Sequence, residues 1–100
     1  AGVHEEPIDE PLQVAAVEVG MVVVQYQPTV SAQAVADLET LADPDGVIVA
    51  PAVRAFDGDA EVAHTSWGRR QLCSSPDLDA AAAFIEAFQG AVLIDHDTAD

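Results

Sequence analysis

The sequence predicts an α+β domain: a two-layer sandwich in which two helices pack on a small mixed β-sheet. Three observations predict it. Two short runs, Gly20–Tyr26 and Val47–Ala50, are rich in β-branched residues, largely apolar and closed by proline, as strands covered on both faces are. Two longer segments carry apolar residues at i, i+3, i+4 spacing, as helices with one buried face do. The order of these segments, strand–helix–strand–strand–helix, suits helices packed on a sheet.

Residues 1–13 hold Pro7 and Pro11 among four acids and are expected to be an extended lead-in to a single domain over residues 14–94. Gly20 to Tyr26 is the strongest strand and the expected centre of the sheet. Ser31 is placed to cap a helix whose stripe is Ala34, Val35, Leu38, Leu41 and Ala42. Asp43-Pro44-Asp45-Gly46 ends that helix with turn chemistry. Val47 to Ala50 follows as a buried strand, and the strand–helix–strand unit has the length of a right-handed parallel crossover.

Asp57-Gly58-Asp59 reads as a loop tip, and Glu61 to Cys73 as one strand bulged at Gly68, pairing with the second strand as a hairpin. Ser75 and Pro76 fit the cap and first position of a second helix. Its stripe is Leu78, Ala81, Ala82, Ile85 and Phe88, and Gly90 its stop. Ala91 to Ile94 adds an edge strand or docked arm, and residues 95–100 form an acidic tail.

One hundred residues can bury roughly 60–65% of the unfolded surface, enough for one core. The apolar set is mostly Ala and Val, so Tyr26, Phe56, Trp67, Phe84 and Phe88 must supply much of the bulk. Eighteen acidic residues face three basic ones, Arg54, Arg69 and Arg70, for a formal net charge of -15. That charge repels phosphate backbones, which excludes nucleic acid as a partner. It suits a protein partner or a homo-oligomer, with cations on the acidic surface. A halophile surface, where molar salt shortens screening to about 3 Å, and an acidic protein of a GC-rich genome explain the composition equally well. Val14 to Val24 is interrupted by Glu18 and falls short of the ~20 residues of a membrane span.

Chemistry-bearing residues are sparse. Cys73 is the single cysteine, so an intrachain disulfide is impossible, and its setting is that of a small buried hydrophobe. His4 and His96 lie among acids near the two ends, as solvated residues do. His64 sits on a strand and is the histidine best placed for a metal or a reaction, although hydrogen bonding within the fold is the commoner use of such a residue. No serine or cysteine stands in a nucleophile elbow, and the six glycines form no phosphate loop. Asp57-Gly58-Asp59-Ala60-Glu61 lacks the spacing of a calcium hand loop. No cofactor is expected. Trp67-Gly68-Arg69-Arg70 is the one place where positive charge meets a large aromatic. It is an anchor for a carboxylate partner or, as the blander alternative, an internal ion-pair cluster.

Gly2-Val3, Pro7, Val14 to Gly20, Val22 to Tyr26 and Pro28 resemble domain-of-unknown-function family 3105 (DUF3105). Ser66-Trp67-Gly68 and Phe84-Ile85-Glu86-Ala87-Phe88-Gln89-Gly90 resemble its Ala/Ser-Trp-Gly and its closing helix, so the likeness runs from about residue 2 to residue 90. The family's H-x-x-E-H signature is broken here. Ala15 and Val19 stand in place of the histidines, and Glu18 and Gly20 remain. On a strand the two histidine positions would lie about 13 Å apart; on a helix they would be neighbours at roughly 5–6 Å. Neither alanine nor valine binds a metal, so whatever the histidine pair does in relatives is not expected here. Glu18, in an apolar run, needs water or a partner, and an arginine of the 69–70 pair is a candidate.

The resemblance implies an extracytoplasmic domain, secreted or anchored through a removed N-terminal segment. Together these features lead to the expectation of a non-catalytic accessory or structural binding domain, a subunit of an envelope-associated assembly. Its interaction residues would be Glu18, Trp67, Arg69 and Arg70. The alternative is a metal-binding protein or metal-dependent enzyme using His64, or His4 and His96 brought together.

Overall fold

A computed structural model describes residues 2–43, 46–53, 56 and 58–89. The chain runs α1 (Glu10–Glu18), β1 (Val22–Tyr26), α2 (Ala32–Glu39), β2 (Val47–Pro51), β3 (Val62–Ser66), β4 (Arg69–Cys73) and α3 (Leu78–Phe88). The fold is α+β, with a mixed four-stranded sheet in the order β2-β1-β3-β4. The expected arm at Ala91 to Ile94, the helix stop at Gly90 and the acidic tail with His96 lie outside the described residues, as do Arg54, Asp57 and the Pro44-Asp45 pair.

β1 is central and buried throughout, as its composition predicts. It pairs in parallel with β2, Val22 opposite Val47, and antiparallel with β3, Val24 opposite His64. β3 therefore lies beside β1 and not beside β2, which corrects the expected hairpin between the second and third strands. The cause is at the other edge of β2. There the chain start pairs with Val49, whose N–H donates to the Gly2 carbonyl at 2.9 Å and whose carbonyl accepts from the His4 N–H at 2.9 Å. With that edge taken, β3 completes the ladder on the open edge of β1.

Residues 61–73 are not one bulged strand. The chain reverses at Trp67-Gly68, so that Ser66 pairs with Arg69 and Val62 with Cys73. Gly68 has φ 78°, a left-handed conformation that glycine adopts without steric penalty and that a two-residue hairpin turn uses.

A third correction concerns the lead-in. Residues before Asp9 are non-helical, but α1 begins at Glu10. Pro11 sits in its first turn, where no intrahelical N–H is needed. The helix ends in a Schellman motif: the Gly20 N–H donates to Val17 O at 3.0 Å and the Met21 N–H to Ala16 O at 3.1 Å, with Gly20 at φ 94°. Gly20 is thus the cap of a helix rather than the start of the strand.

α2 is capped by Ser31 as expected, its Oγ accepting from the Ala34 N–H at 3.1 Å. α3 is capped two residues later than expected, by Asp77, whose Oδ1 accepts from the Ala80 N–H at 3.0 Å. Asp77→Ala should therefore cost about 1 kcal/mol of unfolding free energy, while Ser75→Ala should be near neutral. Urea unfolding of the two variants checks this, and equal losses would refute the assignment.

Strand alternation divides the interior. Val22, Val24 and Tyr26 of β1, Val47 and Val49 of β2 and Val62 of β3 face α2 and α3, meeting Leu38 and Phe84. Val23, Ile48 and Ala50 face the opposite side, where Val17 of α1, Ile8, Met21 and Trp67 close over them. α1 is thus a third helix, on the face away from the other two.

Candidate functional site

The same alternation separates the two arginines. Arg69 pairs with Ser66 and Arg70 with Thr65, so the neighbours in sequence face opposite sides of the sheet. The Arg69 guanidinium lies over the Phe88 ring of α3, 5.7 Å from its centroid. The Arg70 guanidinium lies over Phe56, 5.6 Å from its centroid. Both are cation–π contacts at exposed positions. Trp67 is half-buried and packs with the α1-side core. Glu18 is exposed at the end of α1, and among the described residues no ion pair joins it to either arginine. Water answers the charge of Glu18, so the proposed pairing is not what the fold uses.

His64 is fully buried on the face toward α3. Its Nδ1 lies 2.7 Å from the Gln71 amide oxygen across the β3–β4 pair, and its ring centroid 5.6 Å from that of Phe84. With Nδ1 donating to that oxygen, Nε2 is an acceptor, and it is buried without a partner, as is the Ser66 hydroxyl. Burial holds the His64 pKa below its ordinary value, against smaller upward pushes from the Gln71 hydrogen bond and the Asp77 carboxylate. Among the described residues no three His, Cys, Asp or Glu side chains stand close enough together to hold a metal ion. His4 is half-buried beside Glu5 and Glu6 in the N-terminal segment. Cys73 is half-buried against the main core, and burial, then Asp77, push its thiol pKa up, which disfavours the nucleophilic thiolate.

On the α1 side the sheet and helix leave a cleft of about 430 Å³. Its apolar lining comes from Val14 and Val17 of α1, Val23 of β1, and Val53 and Phe56 of the β2–β3 connection. Its polar lining is Glu10, Gln13, Gln25, Thr65 and Arg70. Gln25 is 7% exposed, and among the described residues its side-chain amide makes no hydrogen bond. Its amide lines the cleft and keeps access to solvent there, so its donor and acceptor are open to whatever enters. Neither Gln25 nor the cleft is legible in the sequence: a glutamine inside a valine strand reads as a tolerated polar residue until α1 is known to cross that face.

α1 also settles the geometry of the broken signature. Ala15 and Val19 sit four residues apart along α1 and its C-cap, both exposed. They lie away from the cleft face of the helix, which is Glu10, Gln13, Val14 and Val17. In the helical geometry two histidines at these positions would be neighbours; here a methyl and an isopropyl group stand there.

A family profile described as a protein of unknown function (DUF3105) matches residues 1–98. No curated protein and no solved structure matches the chain.

Proposed function

We propose, from the premise that this chain belongs to the DUF3105 family, that it is a non-catalytic binding domain acting outside the cytoplasm as an accessory subunit of an envelope-associated assembly. The binding face in this reading is the cleft between α1 and the sheet. The observation that carries it is the pairing, in one partly apolar cleft, of an arginine stacked on a ring with the Gln25 amide, which lines the same cleft and makes no hydrogen bond to the described residues. Convergent polar groups on an apolar floor are what binding clefts offer.

Other features support the rest. Arg70 is exposed on a chain of net charge -15, and its contact is the Phe56 ring, which leaves the guanidinium edge to an acidic partner. No helix among the described residues is long and apolar enough to cross a membrane, so attachment to an envelope would rest on a partner or on chain beyond these elements.

Fractionation of the source cells should place the native protein outside the cytoplasm, with a protein partner co-purifying; recovery in the cytoplasmic fraction would refute the location. Metal analysis of protein prepared without a histidine tag should show no stoichiometric metal. A tightly held ion lost in His64→Ala would overturn the non-catalytic reading in favour of a metal protein.

A further inference from the structure

We infer that the cleft beneath α1 takes a small monocarboxylate with an apolar tail, its carboxylate held by Arg70 and Gln25. This rests on the reading of the cleft as the binding face and adds the chemistry of its occupant.

The reasoning starts from what each lining group lacks. The Arg70 side chain is exposed, and its partner among the described residues is the Phe56 ring. Stacking on a ring uses the face of a guanidinium and leaves its in-plane N–H donors free, and two of those fit a carboxylate side by side. Gln25 supplies an amide whose NH2 can donate to the same anion, and it is fixed on the central strand, lines the cleft and makes no hydrogen bond to the described residues. Thr65, opposite Arg70 in the ladder and opposite Val23 in β1, adds a hydroxyl in the row of Arg70, two residues along the same face from the row of Gln25. Three donors thus come from three adjacent strands held in register by their backbone pairing.

The remainder of the cleft is valine and phenylalanine, which specifies an apolar body rather than a sugar or a nucleotide. Its volume lies at the lower end of the ~300–1,000 Å³ range of ligand sites, which sets the occupant's size as that of a medium-chain acid. Glu10 also lines the cleft and is engaged by another interaction. Its negative charge, with the -15 of the whole chain, favours a monoanion over a dicarboxylate.

The test is calorimetric titration of the full chain with octanoate, octanol and octylamine at physiological ionic strength, where screening acts over about 8 Å. Octanoate should bind saturably and at least about tenfold tighter than the alcohol or the amine, because hydrogen bonds to a charged group contribute more than neutral ones. Arg70→Gln should weaken octanoate about tenfold or more, and Arg69→Gln, on the opposite face, should leave it unchanged. Both arginines are exposed, so neither change threatens folding. Equal affinity for octanoate and octanol, or octanoate binding untouched by Arg70→Gln, would overturn carboxylate recognition while the cleft remained a binding face. Failure of all three compounds to bind would remove the binding reading itself.

Discussion

Phe84→Ala is expected to lower the unfolding free energy by about 3–5 kcal/mol, toward the upper end of that range. Phe84 is 6% exposed and sits where α3 meets β1 and β3, with its ring centroid 4.8 Å from that of Phe88 and 5.6 Å from that of His64. The cost of such a truncation depends on how far neighbours can collapse into the space left behind. Here the sheet side of the core cluster is mostly valine, Val22, Val24, Val47, Val49 and Val62, short and stiff side chains on a hydrogen-bonded ladder. Phe88, whose ring lies against that of Phe84, belongs to the helix that Phe84 holds in place. Small domains have total stabilities of about 5–15 kcal/mol, so the loss takes a large share of what holds the chain folded. Chemical unfolding followed by far-UV circular dichroism measures it. A loss under about 1 kcal/mol would mean that α3 is not packed on the sheet through this ring.

The second large effect is a dependence on pH that one substitution should remove. His64 is buried and neutral in the fold, with its pKa lowered chiefly by burial, whereas in the unfolded chain it titrates near the ordinary value of about 6.5. Above that value neither state carries the proton, and His64 makes no contribution to pH dependence. Below it the unfolded chain takes up a proton that the fold refuses. Stability then falls as the medium is acidified, by up to about 1.4 kcal/mol per pH unit, until the lowered native pKa is reached.

Neutralisation of the eighteen acidic residues at lower pH acts in the opposite sense, because it relieves self-repulsion. The informative quantity is therefore the difference between the parent and His64→Leu. That difference should be level above about pH 7.5 and grow in favour of the variant from about pH 6.5 downward. At pH 8 His64→Leu should be at least as stable as the parent. It removes a buried Nε2 without a partner, and the Gln71 amide, on an exposed residue, can turn to water. A difference that stays flat from pH 8 to pH 5 would show that His64 accepts its proton as readily in the fold as outside it.

Where local chemistry was decisive, the sequence could be read directly. Val22–Tyr26 declared itself by composition, and it is the strand buried from end to end. Ser31 declared itself as a cap, and its hydroxyl bonds the Ala34 N–H. α1 was hidden because Val14 to Val19 is nearly all apolar and therefore carries no clear period. The signal that would have exposed it is Gly20, whose positive φ closes a Schellman motif. Gly68 misled in a related way: one glycine after an aromatic serves a bulge or a two-residue turn equally, and only pairing across β3 and β4 chooses between them. Asp77 and Ser75 were both competent caps, and the difference lay in where α3 had to start in order to lay Ala81 and Phe84 on the sheet.

Family membership, the α+β class and the central strand belong to the sequence alone, because each follows from the order and type of neighbouring residues. The parallel pairing of β1 with β2 was also legible, whereas the place of β3 beside β1, the parting of Arg69 from Arg70, the sealing-in of His64 and the cleft over Gln25 belong to the tertiary structure. These depend on contacts between segments far apart along the chain: the N-terminal arm on β2, α1 across β1, α3 across β3. Local propensity cannot choose among such contacts. The saturation of hydrogen bonds at each sheet edge and the burial of both faces of β1 do.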